Sequence, residues 1–224
     1  STVTRLTIVW PVSRPKLQRP PMLIKVVGLD PSLRNWGIAV GTYDTATKQL
    51  HIDDLQVTCP VISTGKQVRQ NSRDLEAAYQ LYTGALHACR DAHAIFVEVP
   101  VGSQSARAMA SYGVCVGVLG AIRAGGMPFY EVTPTEVKLA ATGKKLATKA
   151  EMIAWASGKH KEAPWPVYRQ KGVDLMSEAK AEHMADAIGA IYAGLAGQAF
   201  QQSLAMLAPP NRNHLFLPKE PIPC

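Results

Sequence analysis

The sequence predicts an α/β protein with a five-stranded mixed sheet flanked by helices. Three apolar, β-branched segments follow one another near the start of the chain, and strand and helix patterns alternate after them. Consecutive strands joined by turns form an antiparallel meander, whereas strands separated by helices pair in parallel. A doubly wound parallel sheet is the alternative, but the opening meander counts against it.

The first three predicted strands lie at 23–29, 36–42 and 49–57. The first is the run LIKVVGL, which ends at Asp30-Pro31-Ser32, a sequence typical of a turn. Residues 44–48 join the second strand to the third and make them a hairpin.

The rest of the domain alternates between helices and strands. A helix is predicted over 67–91, because Leu75, Ala78, Tyr82 and Leu86 recur at three- and four-residue steps. The run AIFVEV at 94–99 indicates a buried strand that one carboxylate interrupts. The remaining elements are a helix rich in small residues at 103–124, a strand at 128–132, and helices at 134–141, 147–157 and 177–197.

A single domain is predicted over 22–197, since 224 residues suffice for one substantial core and would crowd two. Residues 1–21 contain four prolines and no amphipathic period, which indicates an extended arm. Residues 198–224 contain Pro209, Pro210, Pro218, Pro221 and Pro223 and are interpreted as a proline-rich tail.

The composition favours a polyanionic partner. The formal charge is +7 and the pI about 9.3, which suits nucleic acid or an anionic membrane surface, although a basic protein without such a partner is equally compatible. No apolar run reaches the roughly 18 residues that a membrane span needs. The four cysteines are scattered, so we expect reduced thiols in a cytoplasmic protein and no zinc site.

Three acidic residues interrupt otherwise apolar segments. Asp30 ends the first strand, Glu98 ends the fourth, and Asp186 lies inside the last helix. Each has an ordinary explanation alone: a turn, a lysine partner, or exposure to solvent. Together they outline a cluster of carboxylates, the usual site for a hard divalent cation such as Mg²⁺.

The last helix has an unusual face of small residues. His183 and Asp186 are three residues apart and therefore point the same way. The other members of this face are small: Ala179, Ala187, Ala190, Gly194 and Gly197. Such a stripe lets a helix approach a sheet closely, which would bring the two polar side chains to the strand ends. A histidine in a helix is otherwise more often a structural residue than a ligand.

These motifs resemble the RuvC family of Holliday junction resolvases. The first-strand motif appears as Gly28-Leu29-Asp30-Pro31-Ser32 with Gly37, and the family's glutamate after an apolar fourth strand matches Glu98. The closing motif matches His183-Met184-Ala185-Asp186-Ala187, with histidine at a position where some bacterial members carry it. Val137-Lys138 and Thr142-Gly143 with Lys149 resemble the stretch between them. The resemblance covers about 23–197, in the family's order.

The resemblance implies an RNase H-like fold and a crossover junction endodeoxyribonuclease. Branched DNA such as a four-way junction would be the substrate, and a homodimer would make the two nicks, with residues 103–124 in its interface. The expected chemistry is hydrolysis with two Mg²⁺ ions about 3.5–4 Å apart, with Mn²⁺ as a substitute. Asp30 would bridge both ions, Glu98 and Asp186 would each hold one, and His183 would ligate or carry a proton.

Four lysines are the candidate DNA contacts: Lys138, Lys144, Lys145 and Lys149. Lysines on a loop and a helix start give sequence-independent affinity for phosphates. The alternative is a cluster of charges that only keeps the protein soluble.

Two segments depart from the family's pattern. Bacterial members have an aromatic wedge a few residues after the glutamate, but residues 99–103 here contain no aromatic. The stretch 157–171 is longer than in those members, and Trp165 and Tyr168 lie in it among basic residues. It is interpreted either as a contact to bases and phosphates or as a solvated loop. These departures suggest a phage-encoded relative in the cytoplasm of a prokaryotic or phage-infected cell.

The departures leave other functions open. The missing wedge favours a broader nuclease that cuts flaps or forks. A catalytically idle DNA-binding or structural protein would share the fold, as would an enzyme that degrades RNA–DNA hybrids. The intact set of carboxylates counts against the idle protein.

Overall fold

The structure of the chain is a computed structural model, and it describes residues 22–63, 65 and 68–207. The predicted arm at 1–21 and residues 208–224 of the predicted tail lie outside this part. A five-stranded sheet forms the centre, in the order β3-β2-β1-β4-β5. Its strands are β1 (Leu23–Asp30), β2 (Trp36–Asp44), β3 (Leu50–Thr58), β4 (Ala94–Glu98) and β5 (Phe129–Val132).

The pairing of the strands confirms the predicted mixed sheet. β1 pairs antiparallel with β2, and β2 antiparallel with β3, which is the meander. β4 runs parallel to both β1 and β5. The helices between these strands provide the long crossovers that parallel pairing requires. The alternative of a doubly wound parallel sheet is therefore wrong.

Helices cover both faces of the sheet. Within the described residues they are α1 (Gln70–Cys89), α2 (Ala106–Ala124), α3 (Pro134–Thr142), α4 (Lys149–Lys159), α5 (Glu178–Ala196) and α6 (Gln198–Leu207). None of these helices is both long enough and apolar enough to cross a membrane.

The alternation of side chains along β1 divides the interior into two cores. Val26 and its neighbours on one face pack with α5, while Val27 and Leu29 on the other pack with α1 and α2. Successive residues of a strand point to opposite faces, so a mainly apolar run such as LIKVVGL supplies both cores.

Helix α6 corrects the prediction that a tail begins at residue 198. Its side chains Phe200 and Leu204 are buried. The Phe200 ring packs edge-on against Phe96 and Tyr130, with centroids 5.1 and 5.4 Å apart. The prolines that indicated a tail begin only at Pro209, so they give no information about the residues of α6.

A two-stranded hairpin occupies part of the stretch that was interpreted as a contact segment or a loop. Its strands, β6 (Val167–Gln170) and β7 (Val173–Met176), pair antiparallel and form a separate small sheet. It lies in the connection from α4 to α5.

Candidate active site

Adjacent parallel strands bring Asp30 and Glu98 to the same edge of the sheet. Gly28 pairs with Phe96 and Leu29 with Val97. Continuing this register by one residue places Asp30 beside Glu98 on strands that lie about 4.8 Å apart. Because side chains alternate along a strand, Asp30 and Glu98 share the face of Gly28 and Phe96, which is the face that α5 covers.

Helix α5 lies unusually close to this face. A Cβ atom added to Gly28 would lie 2.0 Å from the carbonyl oxygen of Ala187, and one added to Gly37 would lie 2.1 Å from that of His183. Any side chain at either position would push the helix away. The predicted close approach is confirmed, and the space for it comes from glycines of the sheet as well as from the small residues of α5.

This approach brings the side chain of His183 within hydrogen-bond distance of Asp30. The imidazole Nδ1 lies 2.7 Å from Asp30 Oδ2, and the two side chains are only 18% and 16% exposed. The hydrogen bond to Asp30, followed by the negative charge of that residue, raises the pKa of His183 above its usual value. The site therefore favours an imidazolium paired with the carboxylate.

Glu98 and Asp186 are held in an environment that disfavours their charged forms. Burial is the main cause, and it raises the pKa of Glu98 to about 8 and that of Asp186 to about 7. The charge of Asp30 adds to both effects, and Lys138 opposes them. A nearby cation would remove the repulsion, so this donor set suits a hard divalent metal ion.

The carboxylates form an open cluster. In the described part of the chain, no three His, Cys, Asp or Glu side chains converge closely enough to hold a metal ion as they stand. Asp30, Glu98 and Asp186 are nevertheless close enough for their charges to act on one another. Carboxylate oxygens, with no thiolate among the ligands, are typical of Mg²⁺ and Mn²⁺ sites.

Two of the four predicted lysines lie near these carboxylates. Lys138, on α3, is near enough to lower the pKa of both Glu98 and Asp186. Lys149, the first residue of α4, forms an ion pair with Glu182 at 2.5 Å, and the charges of Asp186 and Asp30 contribute to its raised pKa.

The other two lysines lie on the connection between α3 and α4. Lys144 pairs with Glu151 at 2.6 Å, and Lys145 is exposed beside it. The helix ends fix this connection: Gly143 ends α3 in the left-handed region at φ 74°, and Thr148 with Glu151 forms a capping box at the start of α4.

Glu182 is a residue that sequence reasoning missed. It lies four residues before Asp186 and therefore on the same side of α5, where its charge helps to raise the pKa of Asp186. The spacing of Glu182 and Asp186 was a usable signal, but only the packing of α4 against α5 shows that Glu182 holds Lys149.

No protein-family model matches the chain, and no curated protein does. Its fold is similar to that of solved structures. Thermus thermophilus RuvC in complex with a Holliday junction substrate is 21% identical, with 83% of this chain and 99% of that chain covered and a TM-score of 0.54. Thermus thermophilus RuvC by itself is 24% identical, with 84% and 99% covered and a TM-score of 0.51. A fowlpox virus Holliday junction resolvase is 10% identical over 82% and 99%, with a TM-score of 0.44. The RuvC matches confirm the RNase H-like fold class.

Proposed function

We propose that the chain is a structure-selective endodeoxyribonuclease that resolves Holliday junctions by hydrolysing one phosphodiester bond on each of two strands. The observation that carries the proposal is the cluster of Asp30, Glu98 and Asp186 at one edge of the sheet, with His183 on Asp30. The fold adds support, because RuvC with this fold has been solved with a Holliday junction substrate.

The cofactor in this proposal is Mg²⁺, with two ions per site, and Mn²⁺ as a substitute. Asp30, Glu98 and Asp186 would hold the ions. Bound metal would supply an activated water and charge stabilisation for the leaving oxygen. The raised pKa values of Glu98 and Asp186 mean that protons leave these carboxylates when metal binds, so metal affinity rises with pH.

His183 is proposed to hold a proton beside the reacting phosphate. Its Nδ1 is engaged by Asp30, which leaves Nε2 as the nitrogen for a metal ion or a proton. Since its pKa is raised, the imidazolium persists to a higher pH than that of a free histidine, and it can donate to a leaving 3′-oxygen. We favour this role over that of a fourth ligand.

The four lysines are proposed to bind DNA phosphates. Lys138 and Lys149 adjoin the carboxylates, whereas Lys144 and Lys145 extend the positive surface along the connection between α3 and α4. The ion pairs of Lys144 and Lys149 are exposed on the lysine side, so they are weak enough to exchange for phosphate contacts.

A homodimer is proposed, with α2 in its interface. The groove between α1 and α2 is apolar, and its exposed members include Leu75 at 72% and Tyr79 at 65%. Gly113 and Gly117 have open space above them, so a second helix could approach closely. A two-fold assembly would present two sites to a roughly two-fold junction.

The compartment proposed for this activity is the cytoplasm of a prokaryotic or phage-infected cell. Cys59, Cys89 and Cys115 are free thiols, as a reducing compartment would keep them.

One alternative is a broader nuclease for flaps and forks. The connection from β4 to α2 contains no aromatic side chain, and its exposed apolar residue is Val101. A nuclease without an aromatic at this place has less means of opening base pairs at a crossover. Rates on junctions, flaps and forks of matched sequence separate the two functions.

The proposal is tested with a labelled four-way junction and a matched linear duplex, each with Mg²⁺ and with EDTA. Paired, Mg²⁺-dependent nicks on the junction alone are expected. Asp30→Asn should nearly abolish cleavage and leave junction binding intact, and turnover by this variant would refute the assignment. Equal cutting of flaps or RNA–DNA hybrids would support the broader nuclease, and binding without cleavage by the unaltered protein would indicate an idle or structural protein.

A further inference from the structure

The hairpin of β6 and β7 is an exposed ribbon on the surface of the domain. Every residue from Val167 to Leu175 is exposed. Its turn residues Lys171 and Gly172 have φ angles of 51° and 82°, the left-handed pair that joins two strands in register. A two-stranded ribbon is marginally stable by itself. We therefore expect that contact with a binding partner stabilises this ribbon.

One face of the hairpin is mainly apolar and includes an aromatic ring, and Gln170 is its polar member. Tyr168 lies opposite Leu175, and Gln170 lies opposite Val173. Tyr168, Leu175 and Val173 are 49%, 39% and 58% exposed, so the face is open to solvent along its length. Contiguous exposed apolar surface of this kind is typical of a binding surface.

The hairpin is attached at the end of α5 that carries the candidate active site. The backbone N–H of Ser177, which precedes the helix, donates to the carbonyl oxygen of Pro166 at 2.7 Å and closes the base of the hairpin. His183 lies six residues further along, about 9 Å at 1.5 Å per residue. A strand bound at the carboxylates would therefore have the base of the hairpin within reach.

The charges of the hairpin suit an anionic polymer. Lys171 occupies the tip, and Arg169 lies on the second face. Arg169 Nε is 3.9 Å from Asp174 Oδ1, with side chains 75% and 67% exposed, so this pair is weak and Arg169 can exchange it for a phosphate. An aromatic face beside cations fits unpaired nucleic acid, in which bases stack on rings and phosphates meet the cations. The charged tip disfavours extension of the sheet by a second copy.

We propose that the β6–β7 hairpin binds the DNA strand beside the candidate active site, with Tyr168 stacked on an unpaired base and Lys171 on a phosphate. This inference rests on the proposed nuclease function for its substrate. It adds a contact surface outside the carboxylates and the four lysines.

The test measures affinity, so it does not depend on cleavage. Full-length protein carrying Asp30→Asn is titrated with a fluorescent four-way junction, a single-stranded oligonucleotide and a linear duplex, alone and combined with hairpin variants. Tyr168→Ala should weaken binding to the junction and the single strand about tenfold and leave duplex binding unchanged. Lys171→Asn keeps the left-handed turn. It should weaken binding to all three DNAs and reduce the dependence of log K on log salt by about one ion. The control, Val167→Thr on the second face, should bind like the parent.

The possible outcomes separate this inference from the proposed function. Binding by Tyr168→Ala equal to that of the parent on all three DNAs would refute the hairpin contact, whatever the nuclease assay shows. Weaker binding of Tyr168→Ala to the single strand, with duplex binding unchanged, would support the hairpin contact even if the unaltered protein cut no junction. A shift of Tyr168→Ala from dimer to monomer in sedimentation, with DNA affinity unchanged, would assign the face to a second copy and overturn the proposal.

Discussion

Glu98 shows how a single residue links stability to function. The fold raises its pKa to about 8, mainly by burial, so in the metal-free protein the folded state holds a proton that the unfolded chain has already lost above pH 4.5. The stability associated with this group is complete below pH 4.5 and disappears as the pH rises to about 8. A bound cation would reverse the preference by stabilising the charged carboxylate.

Replacing Glu98 with Gln should therefore stabilise the metal-free protein at high pH. We expect a gain of up to about 5 kcal/mol in the free energy of unfolding at pH 8.5 in EDTA, because each unit between the pKa values of about 8 and 4.5 corresponds to about 1.4 kcal/mol. Denaturant titrations across pH 5–9 measure it, with Glu162→Gln as an exposed control. The curves of Glu98→Gln and the unaltered protein should converge near pH 5; parallel curves would contradict the assigned cause.

Lys149 offers a second test at the level of a residue. Lys149→Gln should lower junction affinity several-fold and reduce the dependence of log K on log salt by about one ion, because one phosphate contact is lost. Lys48→Asn is the control, since Lys48 lies in the turn after Asp44, at the opposite end of the sheet, with φ 59° that asparagine tolerates. Equal salt dependence for Lys149→Gln, Lys48→Asn and the unaltered protein would favour a merely solubilising role.

At the scale of elements, the contact of α5 with the sheet determines whether the site exists. Gly28→Ala would place a methyl group 2.0 Å from a backbone oxygen that cannot rotate away. We expect a loss of about 2–3 kcal/mol in stability and a large loss of cleavage, since the helix that carries His183 must move. Thermal unfolding and nicking rates test this. In contrast, Gly158→Ala on α4, with open space above it, should be neutral or stabilise by up to about 1 kcal/mol.

Helix α6 is the second element whose packing can be measured. Phe200→Ala should cost about 3–4 kcal/mol, because the ring is buried against Phe96 and Tyr130. Met206→Ala, on the same helix but 84% exposed, is the matched control and should change stability little. A cost below 1 kcal/mol for Phe200→Ala would show that the folded domain does end near residue 197.

The features that the sequence alone singled out are those with a strong pattern. Asp30 and Glu98 stood out because each ends an apolar strand, and His183 with Asp186 because they interrupt a face of small residues. The hairpin has no such pattern: its strands are four residues long, both faces are exposed, and Lys171-Gly172 is a weak turn signal. The pair of Lys149 and Glu182 could not be predicted, because it depends on how α4 packs against α5.

At the scale of the whole molecule, the sheet separates the candidate active site from the proposed dimer surface. The site lies on the face that α5 covers, while the apolar groove of α1 and α2 lies on the other. The bidentate ion pair of Arg107 with Asp74 ties these two helices together at one end of the groove. Two copies joined through this groove would leave both sites accessible to DNA.

Leu75→Glu should therefore disrupt the dimer without unfolding the monomer. Leu75 lines the groove on α1 and is 72% exposed, so the carboxylate costs little in the monomer but would be buried without a partner in an interface. Sedimentation should show a monomer at micromolar concentration, and nicking of a junction on a supercoiled plasmid should give single nicks in place of paired ones. Met206→Glu, which adds the same charge on α6, should stay dimeric and cut both strands. The variant leaves the carboxylates unchanged. A monomer that still made paired nicks would therefore show that resolution does not require the dimer, and that the second cut is made in a later encounter with the DNA.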